Sequence, residues 1–138
     1  MKNIEYFDLY TAEVLATLYM EFPRRCTLTC EEITKKKNSM DSMTYHKEND
    51  ICGDTIRWLQ ESGYLIYKED RMFVFERCVL SAKGLEVLKQ SPKSLQPQEG
   101  YGEMLVDVTG REAKDATRKL VNQLLSTGMD MMVKGVIL

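Results

Sequence analysis

NDICGDTIRWLQESGYLIYKEDRMFVFERCVLSAKGLEVLKQ, residues 49–90, packs a helix, a hairpin and a second helix together with almost no spare loop. Ile51, Cys52, Thr55, Ile56 and Leu59 recur at helical spacing, Asn49 or Asp50 can cap the first turn, and Gly63 stops the helix. Residues 64–68 are aromatic and β-branched, and residues 69–71 read as a polar turn. Residues 72–80 then alternate, with Phe73, Phe75 and Val79 on one face and Val74, Cys78 and Leu80 on the other. Ser81 caps a short helix that carries Leu85 and Leu88 and ends before Pro92.

Upstream, residues 11–22 place Val14, Leu15, Leu18, Tyr19 and Phe22 at helical intervals, with Thr11 as cap and Pro23 as stop. Residues 26–29 suit a very short strand. Thr29 followed by Glu32 fits a capping box that opens a helix through about Lys36, anchored by Ile33. The polar stretch 37–47 is either an irregular continuation of that helix or a surface loop. Downstream, residues 90–100 carry two prolines and read as a connector. Thr109 then caps a helix over residues 111–126 whose stripe is Ala113, Ala116, Leu120, Val121, Leu124 and Leu125, with Gly128 marking its end and an apolar tail beyond. Such a stripe needs cover, either from the chain's own first helix or from a second subunit meeting it at Leu120, Val121, Leu124 and Leu125. The chain thus divides into residues 1–95 and an appendage, 96–138.

Composition narrows the function classes. The 138 residues carry a formal charge of −2, 43% hydrophobic and 29% charged side chains, which argues against global disorder and is neutral towards nucleic acid. No apolar run approaches the ~20 residues of a membrane span, and the N-terminus carries acids where a signal peptide would be apolar. A cytoplasmic location with reduced thiols is therefore expected. Cys26, Cys30, Cys52, Cys78 and His46 contain no CxxC pair, so neither a metal nor another cofactor is expected. Nucleotide-loop, zinc-protease and nucleophile-elbow motifs are lacking too, and the expectation is a protein that is not an enzyme.

The phrases Thr55-Ile-Arg-Trp-Leu59, Gly63-Tyr-Leu-Ile66 and Leu80-Ser-Ala-Lys-Gly84 give the first two thirds of the chain its resemblance to the winged-helix superfamily of bacterial transcription regulators. The resemblance implies an α+β, mostly helical fold: a winged helix-turn-helix domain with a C-terminal helical extension. It also implies DNA binding in transcriptional control, with the helix after residue 49 in the major groove of double-stranded DNA. Arg57 and Gln60 would face bases, while Lys68, Arg71 and the run Lys35, Lys36, Lys37 with Lys47 would meet phosphate. A homodimer would present two such faces about one helical turn apart, ~34 Å. Winged helices also serve as protein-docking domains, and Asp50, Asp54 and Glu61 on the same helix suit that use, since uncompensated carboxylates repel phosphate.

Overall fold

Helix α1 (Asn3–Glu21) is the axis on which the other elements pack, and the computed structural model describes it within residues 1–35, 42–92 and 99–135. It begins well before Thr11, which is buried in mid-helix rather than capping. The Lys2 backbone N–H donates to the Glu5 carboxylate at 3.3 Å, closing the first turn. Small Ala12 and Ala16 beside Val14, Leu15 and Leu18 leave room for close approach on several sides, which is why one helix can serve two packing partners.

The first partner is a small antiparallel sheet with its helices. Strand β1 (Cys26–Thr29) leads straight into α2 (Cys30–Thr34), where Thr29 Oγ1 accepts from the Glu32 N–H at 3.3 Å. Lys35 closes α2 in the left-handed region, so this helix ends at Thr34, two residues before Lys36. Helix α3 (Ser42–Glu61) follows. It starts seven residues before Asn49, in the stretch left open between helix and loop; residues 36–41 of that stretch lie outside the described residues. The early turns of α3 lack apolar periodicity because buried hydrogen bonds hold them instead. Tyr10 donates its hydroxyl to Glu48 Oε1 at 2.9 Å, and Thr34 donates to Asn49 Oδ1 at 3.4 Å.

Strands β2 (Leu65–Ile66) and β3 (Glu69–Arg71) then pair in succession with one edge of β4 (Val74–Leu80), whose other edge takes β1. Residues 69–71 are therefore strand, and the turn falls at Met72-Phe73, both with positive φ (39° and 72°). Two consecutive positive φ values give the primed turn whose twist matches a two-residue hairpin, which side-chain polarity does not reveal. Alternation along β4 also fails midway. Leu28 pairs with Phe75 but Cys26 with Cys78, an extra residue accommodated by Arg77 at φ 61°. This bulge puts both Phe75 and Cys78 into the core. Ser81 caps α4 (Ala82–Lys89) by accepting from the Gly84 N–H at 2.9 Å.

The second partner of α1 is a pair of helices, α5 (Tyr101–Gly110) and α6 (Lys114–Val133), where the sequence pattern suggests one. Thr109 lies inside α5 and donates to the Leu105 carbonyl at 2.7 Å; the break comes at residues 111–113, with Glu112 at φ 55°. Gly128 does not end α6. It is buried against Tyr64, whose hydroxyl oxygen would lie 2.4 Å from an added Cβ, so the glycine serves close approach rather than termination. Leu120, Val121 and Leu124 are buried and Leu125 is half-buried, in one core with Leu15, Leu59, Phe75 and Leu105. Of the two places open to the stripe, Leu120, Val121 and Leu124 take the one against the chain's own first helix. The result is a mostly helical α+β fold with a four-stranded antiparallel sheet. No described helix is long and apolar enough to cross a membrane.

Candidate interface on helix α3 and the hairpin

The outer face of α3 carries Asp50, Asp54, Trp58 and Glu61, all exposed, with Arg57 half-exposed at its centre. Gly53, between these residues, is covered: an added Cβ would lie 3.2 Å from the Arg57 guanidinium and 3.4 Å from the Phe73 ring. The hairpin turn has folded down onto the helix. Trp58, which the apolar pattern leaves unassigned, lies four residues past Asp54 and three before Glu61; that spacing is the signal that puts it outward. It meets Phe7 edge-on at 5.3 Å between ring centroids and stacks on Tyr64 at 6.5 Å.

Arg57 is clamped. Its Nε and Nη2 donate to the two oxygens of Asp70 on β3 at 2.7 and 3.2 Å, and Nη1 donates to Asp54 at 3.0 Å. The hydrogen bond to Asp70, ahead of that to Asp54, holds the guanidinium still more firmly in its charged form. The guanidinium carbon also lies 5.4 Å from the Phe75 ring centroid. Two carboxylates on one cation leave this cluster with a net negative charge. Gln60 is engaged as well, its Oε1 accepting the Tyr67 backbone N–H at 2.8 Å. Both side chains expected to face bases thus fasten the hairpin to the helix, with three of the five guanidinium N–H donors engaged.

Of the residues expected to meet phosphate, two are held by carboxylates. Arg71 donates to Glu69 at 2.6 Å and reaches Glu76 at 3.4 Å, within its own hairpin. Lys35 bonds Glu112 at 3.1 Å, joining α2 to the break between α5 and α6. Lys36 and Lys37 lie outside the described residues. Lys47 and Lys68 are exposed and take part in no ion pair among the described residues, nor do Asp50 and Glu61. Among the described residues expected to meet phosphate, Lys35 and Arg71 are thus paired with carboxylates.

Three of the four thiols, Cys30, Cys52 and Cys78, are buried, and Cys26 is half-buried. Cys26 and Cys78 face each other across β1 and β4, and burial pushes the Cys78 thiol up to about 12. Cys52 is raised by its hydrogen bond to Cys30 and by burial. Thiols held protonated are poor nucleophiles and ligands. No cluster of three or more histidine, cysteine or acidic side chains suited to a metal occurs among the described residues.

Beside the acidic face, α1, α3 and α6 enclose a groove of about 620 Å³ lined by Ile4, Phe7, Ile51, Trp58 and Leu125, with Asp54 on its rim. Compared with known proteins, the chain matches no family model, no curated protein and no solved structure.

Proposed function

We propose that the chain is a winged-helix binding module whose α3 face and hairpin dock a protein rather than read a DNA duplex. The element order from α1 to α4, with the hairpin strands paired on β4, supports the winged-helix part of this reading. One observation carries the choice of partner: Arg57, the only cation at the centre of the α3 face, is neutralised by Asp70 and Asp54, while Asp50 and Glu61 stay exposed beside it. Bringing that face to phosphate would set uncompensated carboxylates against like charge at short range. A protein surface tolerates such charge and can complement it.

The DNA-binding regulator remains the competing reading, with Lys47 and Lys68 as its available phosphate contacts. Fluorescence anisotropy with a labelled random-sequence duplex separates the two. The docking reading expects no binding at low salt by the natural chain and measurable binding once Asp54→Lys and Glu61→Lys are combined. Binding by the natural chain that weakens steeply as salt rises would overturn it, because counterion release is the signature of phosphate contact.

A further inference from the structure

We propose that the groove between α1, α3 and α6 is the seat of an amphipathic helix from a partner protein, carrying lysine or arginine along the flank that meets α3; this rests on the protein-docking reading above. The floor of the groove is apolar and partly uncovered: Ile4 is 55% exposed and Trp58 43%. Trp58 is held in place by Phe7 and Tyr64, so the groove presents a rigid aromatic wall. Pre-positioned tryptophans of this kind dominate binding energy where a partner's side chains close over them.

Charge decides the occupant. Asp54 lines the groove, and Asp50 and Glu61 share its exposed side of α3 at helical spacing, so this flank of the helix is acidic and the guanidinium of Arg57 within it is shared between two carboxylates. An apolar helix edged with cations complements this arrangement, packing its anchors into the groove and setting its charges on the rim. A second copy of the chain is a poor occupant, because it would bring the same three acids to the same rim. A small apolar ligand is also a poor fit. The uncovered surface continues along α6 at Met129 and Met132, which are 59% and 43% exposed and follow Leu125 at spacings of four and three. That extends the strip by about 10 Å, at ~1.5 Å per helical residue, more than a compact ligand covers.

The single tryptophan of the chain sits in this groove, so its fluorescence reports occupancy directly. The probe is an idealised helical peptide with leucine at i, i+3, i+4 and i+7 and lysine along one flank. It is compared with a twin flanked by glutamate and a twin with serine for leucine. The lysine-flanked peptide is expected to bind, to shift Trp58 emission to the blue, and to bind at least about tenfold more tightly than either twin. Combining Asp54→Lys with Glu61→Lys should reverse the preference between lysine and glutamate flanks. Trp58→Ala, read by anisotropy of labelled peptide, should weaken binding about tenfold or more.

The proposal is overturned if the lysine-flanked peptide does not bind, if preference fails to follow the charge reversal, or if Trp58 emission is unmoved. Sedimentation showing a dimer whose tryptophan is already buried would also overturn it, by giving the groove to a second copy. Salt-dependent duplex binding by the natural chain would remove the protein-docking reading itself. Absence of both duplex and peptide binding would remove only the assignment of the groove.

Discussion

The sheet with α3 and the pair α5–α6 grip the same first helix, but by different means. On the sheet side the contacts are specified locally: a capped helix, a two-residue turn and a hairpin fastened to its neighbour by Arg57 and Gln60. On the other side α5 and α6 pack by apolar contact and by glycines that let elements touch, and two polar contacts tie them to α1: Arg118 to buried Asp8 at 3.1 Å and the Tyr19 hydroxyl to Glu103 at 2.8 Å. Gly102 lies under the Tyr19 ring, and Gly128 against the Tyr64 hydroxyl. The directional bonds of the first region join elements near in sequence; those of the second span 84 and 110 positions and accompany close-fitting shape. Because both regions feed one core, damage to either should be felt throughout.

Leu124→Ala tests that most severely. Leu124 is fully buried, and truncating such a leucine costs about 2–5 kcal/mol through lost transfer energy and the cavity left behind. If both regions share one core, urea unfolding followed by Trp58 emission and by far-ultraviolet circular dichroism should give coincident transitions, both moved to lower denaturant. An unchanged Trp58 transition would mean that α5–α6 folds as a separate appendage. Were Leu124 a dimer contact instead, the loss would appear in association and not in the stability of the single chain.

Gly84→Ala probes the sheet side with a slightly smaller expected effect. An alanine Cβ at this position would lie 2.0 Å from the Tyr64 carbonyl oxygen, backbone against backbone. Helix propensity favours alanine over glycine by about 1 kcal/mol, yet the forced separation of α4 from the chain before β2 should outweigh it, for a net loss of about 2–3 kcal/mol. Thermal unfolding would register this as a lowered Tm. A raised Tm would show that α4 moves freely against the hairpin.

These two positions also mark what the sequence discloses. The hairpin region was legible because its signals are local: Thr29 and Ser81 cap the helices expected of them, and β1 falls where residues 26–29 are expected to form a strand. Its errors came from features that hydropathy does not encode, the paired positive φ at Met72-Phe73 and the bulge at Arg77. In the C-terminal region Gly128 and Thr109 look like helix boundaries, and only tertiary neighbours turn them into interior positions. The candidate site divides in the same way. The acids Asp50, Asp54 and Glu61 were visible from spacing, whereas the capture of Arg57 by Asp70 depends on a contact across 13 positions in the chain.

That capture predicts a modest effect. Asp70→Asn should loosen the hairpin from α3 and cost about 1 kcal/mol or less, since the Arg57 side chain is 36% exposed and solvent screens the pair. Its clearer consequence is a released guanidinium, detectable as faster side-chain exchange at Arg57 by NMR. An unchanged arginine signal would show that Asp54 alone suffices to hold it.

Lys83 lies on the seam between the two regions and gives the smallest expected effect. Its ammonium donates to the Ser62 carbonyl at 2.7 Å, lies 4.4 Å from the Tyr64 ring centroid and touches Met132 Sδ of α6 at 2.9 Å. It forms no ion pair with a carboxylate among the described residues, and burial lowers its pKa from the ordinary lysine value. Between the lowered folded value and the unfolded value of about 10.4, the unfolded chain binds more protons than the folded one. Stability contributed by this group therefore rises with pH through that window, opposite to a lysine held by a carboxylate. Lys83→Met removes the titration while keeping a flexible apolar stem, so the stability of the natural chain relative to the variant should increase as pH rises from the lowered folded value towards the unfolded value of about 10.4. Denaturant midpoints measured across that range provide the check. Parallel curves would mean that the ammonium is as well solvated in the folded chain as in the unfolded one, and that the seam between the hairpin and α6 is open to water.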